Sequence, residues 1–547
     1  MQWIFVKEDS IMVRGSFFRR CFLIFLVICM SFIYPAIGKA EQKDWIRVGL
    51  ERSLSERRQL TIQTNYITLG YCIYGNFEKE TTLAGSKGFV IKPATGYYYI
   101  GKKEYRTYKS AKKMADKLRK LGVSAYPAVT YHSSWNIYVG GSTKKETVKK
   151  QYKKIKGKYN LSFGKLQSDN KKRITILTDE GKIVIDTDKH NAYPQIASNS
   201  NNRQGVNLIV VENCSYRGRL EVGRYNKNTL TTVNILPVED YLKGVVPNEM
   251  SSSYPIEALK AQAVCARSFC YSRKESVVDS NANQAFVVCD TSHCQVYGGF
   301  STETNQTTAA VNATKGKKLW YHGKVIEANY FSTSGGATES AENVWGSKVP
   351  YLKSVPDNYE SEPEKEPWSF NFTIKQLQSL FKNRGIDLGK IKNVFVQKYS
   401  DSGRVMELKM IGENGTKVWK REEGRNFFSL PGNKYKIVKA KEKPDKVYIL
   451  SGKKKRQKRI QSSYVISGNG KVSKMSQSVE QYIVKSKDNM TNFARKAPKN
   501  NQTIKIVGMG FGHGVGMSQS GAKGMAKEGY SYKEILNYYF KEIKIQS

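Results

Sequence analysis

The sequence predicts an α+β protein of mixed strands and short helices forming a cleft, with a small β-α-β-β-α insert. Three observations carry this prediction. Strand-type alternation opens at "IRVGLE" and "RQLTIQTNYITLGY" and returns over residues 173–240. A strongly signalled helix follows Pro255. Near the C-terminus five glycines occupy alternate positions from Gly508 to Gly516, a pattern that no helix interior tolerates.

At 547 residues with 39% apolar content, the chain has room for two to four globular domains. Lys and Arg number 90 against 47 Asp and Glu, so the net charge of +43 favours a polyanionic partner. Residues 1–40 indicate which kind. Arg14, Arg19 and Arg20 precede an apolar run from Cys21 to Ile37, and Gly38-Lys39-Ala40 supplies small residues suited to cleavage. The segment reads as an export signal, either cleaved or retained as a membrane anchor. The remainder is therefore expected outside the cytoplasm, extracellular and wall-associated or membrane-anchored. That location argues for anionic wall polymers as partners and against nucleic acid. Beyond the signal, Cys72, Cys214, Cys265, Cys270, Cys289 and Cys294 are too sparse for a disulfide-built scaffold.

Residues 41–90 hold the first strands. Over 96–155 the pattern changes to strand "GYYYIGKKEYRTY", helix "SAKKMADKLRKLG" stopped at Gly122, strands "VSAYPAVTY" and "WNIYVGG", and helix "TKKETVKKQYKKI". This insert, bounded at 91–160, resembles the small SPOR domain, whose family binds glycan strands stripped of peptide. An unrelated α+β insert with solvated basic helices fits the same pattern. Further on, 375–384 reads as a helix and 393–450 as hairpins turning at "DSGR" and "ENGT". "GKKKRQKR", residues 452–459, lies within a basic insertion near 440–503 and reads as the cap of a hairpin or loop, either a solvated turn or a wall-polymer contact, and 487–503 reads as a polar linker or exposed loop. After the glycines, Ser518 offers an N-cap, Gly529 a stop, and Ser531 with Glu534 a capping box.

In "VVPNEMSSSYPIEALKAQAVCARSFC", Pro255 fits a first helical turn and Glu257 suits the positive end of the dipole. Two adjoining faces, Leu259/Ala263/Ala266/Cys270 and Ala258/Gln262/Cys265/Phe269, are mostly small, which predicts a tightly packed central helix. Glu249 precedes it in a Pro-Asn-Glu-Met stretch read as loop. Such an acid either meets a ligand or acts as an electrostatic cap.

Three blocks are similar to the signatures of the stage II sporulation protein D family, which includes the LytB amidase enhancers. They are "LPVEDYLKGVVPNEMSSSYPIEALKAQAVCARSF", "YFSTSGGATESAENVWGSKVPYLKSVPD" and "GFGHGVGMSQSGAKGMAKEGYSYKEIL". They occur in family order within a domain of residues 170–547. The resemblance implies a peptidoglycan lytic transglycosylase acting in sporulation or cell-wall remodelling on glycan strands from which a cell-wall amidase has removed the stem peptides. Its catalytic acid matches Glu249. A hydrolase that activates water wants two carboxylates, whereas here the 6-hydroxyl of the sugar serves as nucleophile and one acid suffices. To donate a proton near neutrality, Glu249 would be held protonated by burial beside Met250 and Tyr254. A non-catalytic amidase enhancer is the alternative.

Arg267 also matches a family position near the site, where it would orient the acid, stabilise developing charge or form a salt bridge holding the helix. Ser334, Gly335 and Gly336 would turn backbone N–H groups toward sugar hydroxyls or form a simple tight turn. His513 and Gln519 would line the substrate cleft, although a His in Gly-His-Gly can equally brace its loop. Cys289, His293 and Cys294 place two thiolates and an imidazole within six residues. Some relatives hold zinc here with two Cys and two His, but residues 280–288 contain no upstream His. Zinc and a Cys289–Cys294 disulfide both remain open.

Overall fold

The computed structural model describes residues 44–547 apart from 180, 187–191, 200–204, 226–227, 280–284 and 362–365; within 440–502 it describes only the backbone of short strands. The expected export segment, residues 1–40, lies outside the described residues. Among the described residues, no helix is long and apolar enough to cross a membrane. Helices and strands are mixed throughout, as an α+β chain requires. Two compact units result. The first runs to Asn329 and takes in Gly529–Ile535 and Glu542–Ser547; the second comprises Tyr330–Glu528 and Leu536–Lys541.

In the first unit, "IRVGLE" supplies the strand Trp45–Gly49. It pairs antiparallel with Thr231–Pro237 and parallel with Val288–Cys289 inside a seven-stranded sheet. Ile46 and Val48 are buried on one face. On the other face Arg47 donates to both carboxylate oxygens of Glu221, at 2.6 and 3.3 Å. Both charges are buried, a placement that only such pairing makes tolerable.

A nine-stranded sheet takes in the expected insert. Strand Tyr97–Ile100, helix Tyr108–Arg119, strands Ala125–Tyr131 and Ser134–Ser142, and helix Lys145–Ile155 follow the predicted order. Thr107 caps the first helix by accepting the Ser110 N–H, Gly122 at φ 70° follows its end, and Ala111, Ala115 and Leu118 form the buried stripe. Ala125–Tyr131 runs parallel to Gly181–Ile185, with Val184 opposite Ala128. The insert's strands thus extend a sheet whose other members come from outside it.

The central helix, Ile256–Asp279, is buried on every face over Ala258–Cys270 except at Lys260. The small side chains predicted on two faces let neighbouring elements close around it from all directions.

In the second unit, Trp368–Thr373, Thr503–Met509 and Lys434–Lys439 make one sheet, and Ile391–Tyr399, Val405–Gly412 and Thr416–Lys420 make a meander. The meander turns at the two predicted sequences, "DSGR" and "ENGT". The helix Ile374–Lys382 carries a full capping box between Thr373 and Gln376. Its Leu377 and Phe381 join Leu408, Trp419, Phe427 and Ile506 in one apolar core. Two expectations need correction. A helix, Glu422–Phe428, interrupts the predicted run of hairpins because Phe427 and Phe428 are drawn into that core. The like-charge block lies at a hairpin, as expected, but most of it is not a cap: Lys454–Arg459 is a strand paired with Lys446–Ser451.

Candidate active site

The strand Thr231–Pro237 leads directly into the helix Val238–Glu249, with Glu239 and Asp240 in its first turn. Glu249 is therefore the last helical residue and not part of a loop. Pro247 lies inside that helix, and its missing N–H explains the misreading, since proline ordinarily marks a helix boundary. Met250 then turns extended, at φ −130°. Nearby carbonyls find other donors: Gly244 O accepts from the Asn248 side chain at 2.7 Å and from the Gly298 N–H at 3.1 Å.

Glu249 is half-buried, and its Oε1 accepts the Val296 N–H at 2.7 Å. The segment that supplies this donor is itself pinned. The Gln295 amide accepts from Cys270 Sγ at 3.0 Å and from the Tyr241 hydroxyl at 3.3 Å, and it donates to Ala266 O at 3.3 Å. The Tyr297 hydroxyl donates to Asn234 at 2.8 Å while its ring packs 5.0 Å from that of Tyr241. Gly244 admits this packing, because a Cβ there would stand 2.6 Å from the Tyr297 ring. The acid thus sits on an immobile frame. Met250 beside it is buried and Tyr254 is half-buried.

Arg267 does not orient Glu249. Its guanidinium is fully buried, forks onto both oxygens of Glu239 at 2.8 Å each, and donates to the carbonyls of Lys317 and Val311. Glu239 lies in the first turn of the helix that Glu249 ends, so the arginine locks the opposite end of the frame. Of the roles open to it in the sequence, the structure shows the salt bridge.

Cys289, His293 and Cys294 do converge. Their ligand atoms lie within 4.8 Å of one another, with His293 Nδ1 at 3.8 Å from Cys289 Sγ and 3.5 Å from Cys294 Sγ. Tetrahedral zinc with ordinary Zn–S and Zn–N lengths would separate sulfur from nitrogen by about 3.6 Å, so the donor set fits that ion. Both thiols are unbridged. The three residues line a cavity of about 1200 Å³ whose walls include Glu51, Phe286 and Arg273 but not Glu249.

The remaining predicted residues belong to the second unit. The Ser334 and Gly335 N–H groups are not turned to a ligand. Both donate to the buried carboxylate of Glu360, with Gly335 at 2.9 Å, and the Gly336 N–H donates to Ser334 Oγ at 3.0 Å. Arg404 donates to Ser334 O at 3.0 Å and Lys434 to Gly335 O at 2.8 Å. The turn is thus held internally on both its N–H and its C=O groups.

The alternating glycines mark a close backbone approach, as the sequence predicted. A Cβ at Gly510 would meet Thr333 O at 2.9 Å, and one at Gly512 would meet Phe331 Cβ at 2.9 Å. His513 braces this loop. Its Nδ1 accepts the Val515 N–H at 3.1 Å and its Nε2 lies 3.1 Å from Tyr330 O, which fixes a neutral ring that donates from Nε2. Loss of water around the ring, with Arg425 and Arg404 nearby, lowers its pKa to about 4. Gln519 is buried in the first turn of helix Gln519–Lys527, whose cap Ser518 accepts the Gly521 N–H.

Among the buried acids that sequence reasoning missed are Glu360 and Asp357. Glu360 also accepts from the Ser518 hydroxyl at 3.0 Å, and Asp357 from Tyr539 at 3.1 Å. Burial, with Glu360 adding to it, lifts the Asp357 carboxyl to about 6. Asp357 closes the quoted "SVPD", so its position was visible although its partners were not.

The stage II sporulation protein family model matches residues 226–321, which include Glu249, Arg267 and the Cys/His cluster. Stage II sporulation protein D of Bacillus subtilis is 30% identical over 325 residues, covering 57% of this chain and 76% of that protein. An uncharacterised protein of Brachyspira hyodysenteriae is 29% identical over 395 residues, covering 72% and 88%. The amidase enhancer of B. subtilis is 33% identical over 310 residues, covering 55% of this chain but only 39% of the enhancer's length. The chain belongs to the stage II sporulation protein D family.

Proposed function

We propose that the chain is an exported peptidoglycan lytic transglycosylase that cleaves peptide-free glycan strands to 1,6-anhydro products, in sporulation or cell-wall remodelling. What supports the reading is the seating of one acid: Glu249 ends a helix locked at its far end by Arg267 and is held at one oxygen by the Val296 N–H. In the reaction, the protonated carboxyl gives its proton to the glycosidic oxygen as the C1–O bond breaks. The carboxylate then takes the proton of the C6 hydroxyl as O6 bonds to C1. No water is consumed, and the acid ends as it began.

Cys289, His293 and Cys294 would hold a zinc ion, which when bound would cross-link the segment leading to Val296. Residues 91–160 would add a SPOR-like glycan contact, in keeping with their element order. The charge of +43 would draw the protein to anionic wall polymers, and an amidase would act before it on the same strands. The likeness to a protein named amidase enhancer favours a second reading, a non-catalytic wall-binding partner of such an amidase. Digestion of purified peptide-free glycan, followed by mass spectrometry for anhydro-muramic ends, separates the two. Such ends are expected with the parent chain and absent with Glu249→Gln; their absence from the parent digest would favour the enhancer.

A further inference from the structure

Within the second unit, Arg421 is an exposed cation with an unusual backbone. Arg421 makes no ion pair and no side-chain hydrogen bond among the described residues, although its neighbours are engaged: Glu422 with Arg425 at 2.8 Å, and Glu423 with the Lys420 N–H at 2.8 Å. Its backbone is held at φ 49°, ψ −125°. Side-chain-bearing residues avoid that region, and such strain persists only where the surrounding structure holds it.

The guanidinium lies over Gly346. A Cβ there would stand 3.5 Å from Arg421 Cζ and from both Nη atoms, and Gly346 itself adopts φ 95°. The preceding residue is Trp345, which ends helix Ala341–Trp345 and is 48% exposed. Its ring packs 5.4 Å from that of His513, which in turn lies 5.6 Å from Phe331. The result is an indole face backed by an uncharged imidazole, with a guanidinium beside it.

We propose that Trp345, His513 and Arg421 form a subsite for a muramyl residue whose lactyl carboxylate is free. The pyranose C–H face stacks on the indole, and the guanidinium pairs with the carboxylate. While a stem peptide is attached, that carboxyl carbon is part of an amide and bears no charge. The site would therefore prefer strands already stripped of peptide. This inference rests on the reading that the ligand is a glycan strand.

The test measures binding by calorimetry to the full chain carrying Glu249→Gln, so that ligands survive. The probes are a muramic-acid-containing tetrasaccharide with free lactyl groups, the same sugar with its lactyl groups converted to methylamides, and chitotetraose. The expected result is a preference of about tenfold for the free acid over the amide. Arg421→Gly should remove that preference while leaving the melting temperature unchanged or higher, because glycine relieves the strained backbone. Trp345→Ala should weaken all three ligands. Equal binding of acid and amide, or an undiminished preference in Arg421→Gly, would overturn the subsite and leave the glycan reading standing. Failure of all three sugars to bind would overturn both.

Discussion

Arg267 and Glu239 form a forked ion pair 28 residues apart in sequence, with both hydrogen bonds at 2.8 Å and the guanidinium fully buried. The pair joins the central helix to the first turn of the helix that ends at Glu249. Removing Glu239 strands the buried guanidinium of Arg267. Glu239→Leu is therefore expected to lower stability by about 3–5 kcal/mol in urea unfolding, and the double variant with Arg267→Met by clearly less. Equal losses in the single and double variants would show that the pair is not the cause.

Gly244 reverses an ordinary helix rule. Replacing a helical glycine by alanine usually gains about 1 kcal/mol. Here the added Cβ would press to 2.6 Å from the Tyr297 ring and 2.9 Å from Gly299 O, and overpacking of that kind costs about 1–3 kcal/mol. Gly244→Ala should therefore lower the melting temperature and weaken the hold on Val296. An increase would mean that the loop moves aside easily.

Asp357 gives a pH dependence of known sign. Its carboxyl is raised from 3.8 to about 6 by burial and by Glu360. The folded chain thus binds the extra proton, and this group's favourable contribution is complete below pH 3.8 and lost as pH rises through about 6. Asp357→Asn should stabilise the protein by about 2–3 kcal/mol at pH 8 and hardly at all near pH 4. His513 works in the opposite sense. With its folded pKa near 4 against 6.5 unfolded, its contribution is present above 6.5 and declines as pH falls toward 4. Thermal unfolding of Asp357→Asn and His513→Gln across that range should show the two opposed slopes.

Metal content tests the Cys/His cluster. The purified chain is expected to carry one zinc by elemental analysis, to lose it with Cys294→Ser, and to melt at a lower temperature after chelation. A Cys289–Cys294 disulfide found in chain purified without reductant or chelator would replace the metal reading.

Local signals were legible and distant ownership was not. The capping roles of Ser518, and of Ser531 with Glu534, follow from neighbours within three residues, and the hydrogen bonds are present. The glycine run declared a close approach because only a missing Cβ permits one. By contrast, Pro247 suggested a break where the helix continues for two more residues to Glu249, with Gly244 O accepting from the Asn248 side chain and the Gly298 N–H. The Ser334 and Gly335 N–H groups looked available, yet Glu360 claims them from 25 residues or more away. Nothing local to Arg421 announces its strained backbone either, since that conformation is fixed by Met406 O and the Asn433 side chain.

The central claim is that Glu249 serves as acid and then as base while the sugar's own hydroxyl closes the ring. Digestion of peptide-free glycan in water enriched in heavy oxygen tests it most directly, with the new chain ends read by mass spectrometry. Fragments ending in anhydro-muramic acid without heavy oxygen, formed by the parent chain and not by Glu249→Gln, are the predicted result. Heavy oxygen at the new ends, or undiminished cleavage by Glu249→Gln, would contradict it.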